Sequence, residues 1–334
     1  MIIDCSNTLP EFAFNWDANP DPKNEGYLQL FGPGWAQLAG WSKEEFYQKV
    51  KHQSQGVVLE ELFSILKNNF SLDKFLEMLS EANIAYHAIH NMDYGRDGLV
   101  PPVDHDYVEE ILKKHPNRFI GFAGYNPHKG IESLKTVRKA ITEQGYRAVV
   151  LPPYEHGEKA DDRKYYPLYA LCEEYDIPVW IHSSINYFKQ TSVYIDHPAN
   201  LEKPLTDFKN LKIIAGHGGW PWIPDMIAML LKYENLYVDT SAFRPKYIAE
   251  PNTGWDMFMY YANSLIQDKI VFASDWLSLG MPIKEYIKEV EAWPLKESVR
   301  EKFYWKNANK LFKLGLGETN SPTKEFKNEV VINE

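Results

Sequence analysis

Between residues 84 and 276 short apolar runs rich in β-branched side chains alternate with helix-length amphipathic stretches. That rhythm confines the chain to folds made of βαβ units, because parallel neighbouring strands can be joined only by a crossover. The strand candidates are 84–91, 118–125, 146–153, 178–184, 212–219, 236–242 and 270–276, with 2–6 in front of them. Helices are expected over 104–114, which stops at His115-Pro116, over 162–175, and from Pro224 onward. Eight strand and helix units close into a (β/α)8 TIM barrel, whereas an open dinucleotide-binding sheet would bring about six strands and a glycine-rich first turn. No Gly-x-Gly-x-x-Gly follows the first strand, and 334 residues suit one barrel.

The rhythm is interrupted once. Residues 9–83 separate the first strand from the second and are too many for a bare loop. Ser42-Lys43-Glu44-Glu45 reads as a capping box that opens a helix, and 71–82 as the helix leading into strand two. Phe12, Phe14, Trp16, Tyr27, Phe31, Trp35 and Trp41 fall within this insertion. Because it leaves strand one at the C-terminal face of the barrel, it is expected to roof the site or to meet a partner. The expected organisation is one barrel domain over 1–316, with 9–83 as insertion and lid, and a polar tail over 317–334.

A net charge of −10 argues against a general nucleic-acid surface, which needs clustered Lys and Arg. Two cysteines, Cys5 and Cys172, are too few for a disulfide framework. No apolar run reaches the length of a membrane span, so the expectation is a soluble, cytoplasmic protein with a small-molecule substrate. An aromatic share of 14% fits pockets or interfaces lined by rings, and a homo- or hetero-oligomer is expected.

Three candidate strands end on a residue that can bind a metal or move a proton: Pro-Val-Trp-Ile-His182, Ile-Ile-Ala-Gly-His217-Gly-Gly and Val-Phe-Ala-Ser-Asp275. A buried parallel strand has no structural use for such a tip, so the three are assigned to one site at the barrel mouth. Alternation along the strands places Trp180 and His182, then Ile213, Ala215 and His217, then Val271, Ala273 and Asp275 inside. Two imidazoles and a carboxylate suit one divalent ion, zinc foremost with manganese or iron as alternatives, and His182, His217 and Asp275 are its candidate ligands. His217 and Asp275 are also the candidate catalytic groups. Substrate contacts are expected from His90 at the end of strand two, from Trp220 beside Gly218 and Gly219, and from Arg244 just beyond strand seven. His87, three residues before His90, faces the other side of its strand, and Asp104-His105-Asp106 reads as a helix N-terminus.

The order of these motifs, with Asn117-Arg118-Phe119-Ile120-Gly121-Phe122 and Leu-Tyr-Val-Asp239-Thr-Ser241 among them, resembles the amidohydrolase-related family 2. That branch includes aminocarboxymuconate semialdehyde and resorcylate decarboxylases. The resemblance implies a metal-dependent barrel with His182 and Asp275 as ligands and His217 as a proton-transfer residue. Two departures accompany it. Family members carry His-x-His or Glu-x-His after strand one, where this chain has Ser6 and Thr8, and strand four lacks the lysine that bridges two metals in binuclear relatives. The implied function is a metal-dependent lyase or hydrolase, decarboxylase-like, on a small carboxylate-bearing or ring substrate. The alternative is a non-catalytic or regulatory subunit of an intact paralogue, including one in a metal-dependent hydroxylase complex.

Overall fold

The computed structural model describes residues 1–14, 25–96 and 104–317; Trp16 and the tail from 318 lie outside them. Eight strands form one parallel sheet in sequential order: β1 Ile2–Asp4, β2 Ile84–Asn91, β3 Phe119–Gly124, β4 Ala148–Leu151, β5 Val179–His182, β6 Ile213–Gly216, β7 Leu236–Asp239 and β8 Ile270–Val271. The sheet curls until its edges meet. Cys5 N donates to the Phe272 carbonyl at 2.9 Å and Asp275 N to the Ser6 carbonyl at 2.9 Å, which joins the segments that follow β1 and β8. The expected (β/α)8 barrel is the observed architecture.

Two apolar layers follow from the pleat, since successive side chains point to opposite faces of a strand. Ile3, Cys5, Tyr86, Ala88, Ile120, Phe122, Ala148, Val150, Trp180, Ile214, Val271 and Ala273 fill the interior. Their neighbours, such as Ile89, Val149, Ile181, Ile213 and Ala215, pack outward against the helices. Burying both faces is why these strands read as continuous apolar runs.

One inward set expected from the sequence is displaced by a residue. In β6 it is Ile214 that joins the interior, whereas Ile213 and Ala215 face the helices. Gly216 is the next inward position and must be glycine, because a Cβ there would sit 2.1 Å from the Trp180 indole. His217 still reaches the interior because its φ of 65° ends the alternation and turns its side chain back over the barrel.

The insertion is helical throughout its described part: α1 Pro10–Ala13, α2 Glu25–Leu38, α3 Lys43–His52, α4 Gln55–Asn69 and α5 Leu72–Glu81. Ser42 caps α3 by accepting from Glu45 N at 3.1 Å, and Ser71 precedes α5. Trp35 of α2 is buried and its indole N–H donates to the carbonyls of Ser278 (2.9 Å) and Leu277 (3.2 Å), which ties the insertion to the turn after Asp275. Helix α6, His105–Lys114, is capped by Asp104, which accepts from Asp106 N and Tyr107 N.

Candidate active site

At the C-terminal mouth of the barrel lies a cavity of about 360 Å³, toward the lower end of the roughly 300–1,000 Å³ common for small-molecule sites. Strand ends supply its floor. Ser6, Asn7 and Thr8 come from β1, His90 from β2, His182 from β5, His217 from β6 and Asp275 from β8. Tyr27, Phe31, Trp35, Tyr154, Tyr187 and Phe243 make much of its wall, three of them from α2. Its lining contains no Lys or Arg among the described residues.

Trp180 is the floor on which the imidazoles rest. Its ring centroid lies 4.8 Å from His90, 5.1 Å from His217 and 6.3 Å from His182. The His182 and His217 rings are themselves 4.8 Å apart. The indole N–H of Trp180 donates to Asp239 Oδ2 at 2.7 Å. A buried indole needs such a partner, so Asp239 fixes the ring as well as the residues above it.

Asp239 also decides which nitrogen of His217 carries the proton. Its Oδ1 accepts from His217 N (3.0 Å), Ser241 N (2.9 Å) and Ser241 Oγ (2.6 Å). The Ser241 hydroxyl has one proton and gives it to Asp239, so toward His217 Nδ1, 2.8 Å away, it can only accept. The Ser241 carbonyl, 3.1 Å from the same nitrogen, is likewise an acceptor. The proton therefore sits on Nδ1, and Nε2 carries the lone pair of a base or a ligand. His182 Nδ1 stands 3.0 Å from Asp196 Oδ2 but is aligned too poorly for a hydrogen bond. His90 is held differently, with its Nε2 facing the Cys5 carbonyl at 3.3 Å.

Burial dominates the electrostatics. It lowers His182 and His90 to about 3 and His217 to about 4, the last also through the neighbouring His182, so the three imidazoles are neutral at pH 7. Burial raises the Asp275 carboxyl above its ordinary range, opposed by His217 and by a hydrogen bond from Ser278. The site thus pairs a carboxyl held toward its protonated form with a neutral imidazole base, a division of labour that suits acid and base catalysis.

The other candidates are placed elsewhere. Trp220 lies outside the cavity lining, donating its indole N–H to the Thr253 carbonyl at 3.3 Å and packing on Phe243. Arg244 is outside it too. Its guanidinium is held by Glu289 (2.9 and 2.7 Å) and Glu285 (3.2 Å), which withdraws it from a substrate carboxylate. Sequence reasoning missed Asp239, Ser241 and Asp196 as supports. Asp239 was legible, being a fourth polar tip on an apolar strand, but Asp196 lies fourteen residues past His182 on a loop and carries no spacing signal.

The donors do not add up to a metal site. No group of three His, Cys, Asp or Glu side chains among the described residues could hold an ion. Thr8 spends its hydroxyl on the His90 carbonyl (2.9 Å) and Asn7 its amide on Ser274 Oγ (3.2 Å), so the end of β1 offers nothing comparable to imidazole or carboxylate.

Comparison with known proteins agrees with this architecture. The family model described as Amidohydrolase matches residues 67–314. A gamma-resorcylate decarboxylase of Polaromonas sp. is 22% identical over an alignment of 255 positions that covers 63% of this chain and 74% of that protein. Among solved structures, an uncharacterised TIM-barrel protein of Bordetella bronchiseptica is 23% identical with a TM-score of 0.66, covering 93% of this chain and 98% of that one. A dihydroxybenzoic acid decarboxylase of Polaromonas sp. with bound manganese and 2-nitroresorcinol is 18% identical with a TM-score of 0.57, covering 74% and 87%.

Proposed function

This chain belongs to the amidohydrolase family, and from that membership we propose that it is an enzyme of the decarboxylase-like kind, removing CO2 without oxidation from a small ring carboxylate. The observation that carries the reading is the convergence of His182, His217 and Asp275 from three strand ends onto one ring-walled cavity. A planar ring fits between the aromatic walls, and Tyr27 and Tyr154, whose hydroxyls burial keeps protonated and which bond to each other, leave one hydroxyl proton of the pair for the carboxylate.

The chemistry follows from the two titrating roles. Asp275 in its acid form gives a proton to the ring carbon that bears the carboxylate, and the C–C bond then breaks with its electron pair returning to the ring and CO2 leaving. The carboxylate left on Asp275 is reprotonated from solvent by way of His217. A carboxylate held against ring walls is poorly solvated, and its loss as neutral CO2 relieves that cost. His182, packed against Trp180 and His217, orients the substrate. The insertion, with three rings in the wall, is proposed to act as the lid over a single barrel domain.

The test is a panel of hydroxylated and methoxylated benzoates with CO2 release as the readout. The expected result is turnover of at least one compound, with Asp275→Asn and His217→Asn each slower by roughly 10²–10⁴, the usual share of a positioned acid or base. No turnover by folded protein across the panel would contradict the reading. Two imidazoles and one carboxylate would suit zinc foremost, with manganese, as in a relative, or iron as alternatives, if an ion were held. The missing donors at the end of β1 also favour a partner subunit with no reaction of its own, and turnover by the isolated chain would exclude that.

A further inference from the structure

We propose that the barrel mouth works without a resident divalent ion, and that the hydroxyl side chains at positions 6 and 8 are what withhold it. The inference rests on placing the reaction at this site. A catalytic ion needs about three protein ligands and an open position. Among the described residues around the mouth, donors of that strength come from β2, β5, β6 and β8, Asp104 is spent on capping α6, and the sector at the end of β1 contributes Ser6, Asn7 and Thr8.

None of the three can substitute. Neutral hydroxyl and amide oxygens are weak ligands beside imidazole or carboxylate. Thr8 and Asn7 are already committed to the His90 carbonyl and to Ser274. On the neighbouring strand, His90 commits its Nε2 to the Cys5 carbonyl and keeps only Nδ1, on a ring wedged against Phe122 and Trp180 at 4.5 and 4.8 Å, so it adds at most one donor and does not replace the two absent from β1. Among the described residues that leaves chiefly His182, His217 and Asp275, and no group of three that could hold an ion is found there. The anchoring of His217 on Ser241 and Asp239 is equally the arrangement that aims a base at an organic substrate.

Residues 6 and 8 both line the cavity, so imidazoles placed there would enter the same space as His182 and Asp275. The experiment therefore compares the wild-type chain with Ser6→His/Thr8→His, each purified without added metal and then dialysed against ZnCl2 or MnCl2. Ions per chain are counted by elemental analysis, and melting temperature is followed with and without chelator. We expect well under about one-tenth of an ion on the wild type and no change in its melting point, and about one ion on the double variant with a melting point that chelator lowers, since an ion bound only to the folded state stabilises it.

About one tightly held ion on the wild type, lost in Asp275→Asn, would overturn the proposal. An ion-free wild type with a folded double variant that also binds none would overturn the assignment to positions 6 and 8. Should the double variant fail to fold, Ser6→His and Thr8→His are measured singly, and failure of both to gain any ion over wild type overturns that assignment as well. None of these readouts depends on turnover, so a wrong substrate class would leave them unaffected.

Discussion

His105 illustrates how a single side chain sets a pH limit. It begins α6, is buried, and its Nε2 accepts from Gly124 N at 3.2 Å, so protonation would remove an acceptor from a donor inside the protein. Burial lowers it to about 4 against an ordinary 6.5, and His156, bonded to Tyr165 and the Asp93 carbonyl, is lowered to about 4 likewise. The unfolded chain binds protons that the folded chain refuses between these values. The stability these two histidines contribute is thus full above pH 6.5 and falls as the pH drops through 6.5 toward 4. His105→Gln keeps an acceptor and does not titrate, so its urea midpoint should fall less steeply over that window, by roughly 1–3 kcal/mol across it. An unchanged slope would show that His105 is already charged. At the same scale, the motif residues His182, His217 and Asp275 were legible because a polar tip on an apolar strand is conspicuous. Arg244 was misleading because sequence proximity to β7 says nothing of Glu289, which reaches it from 45 residues away.

Among the elements, α2 shows why an insertion with little barrel character still shapes the site. Gly34 packs against the turn that follows Asp275, and a Cβ on it would lie 2.7 Å from the Leu279 carbonyl oxygen and 2.8 Å from that of Gly280. Alanine gains at most about 1 kcal/mol of helix propensity over glycine. Backbone on the other side cannot move aside, so the clash prevails and Gly34→Ala should lower the urea-unfolding stability by about 1–3 kcal/mol. It should also slow turnover, because Asp275 and Ser278 sit in the displaced turn; a variant as stable and as active as wild type would detach α2 from the site. The β6 strand marks the limit of reading elements from alternation. Period two assigns faces only within regular strand, and His217 lies one residue past the end of β6 with a positive φ that no pattern of apolar residues announces.

For the molecule as a whole, the strand and helix rhythm was sufficient to foretell the barrel, since eight parallel strands in sequential order have no other compact closure. Long insertions and crossed contacts were less legible: that Trp35 would be bound to the turn after β8 depends on a return of 242 residues. The reaction proposed for the barrel mouth depends on Asp275 delivering the proton that replaces CO2. That step is tested most directly by running the reaction of a turned-over ring carboxylate in D2O and locating deuterium in the product by NMR. We predict one deuterium at the carbon that carried the carboxylate with wild-type protein, and labelled product formed roughly 10²–10⁴ more slowly in Asp275→Asn. CO2 release by Asp275→Asn at the wild-type rate, with the same labelling, would contradict it.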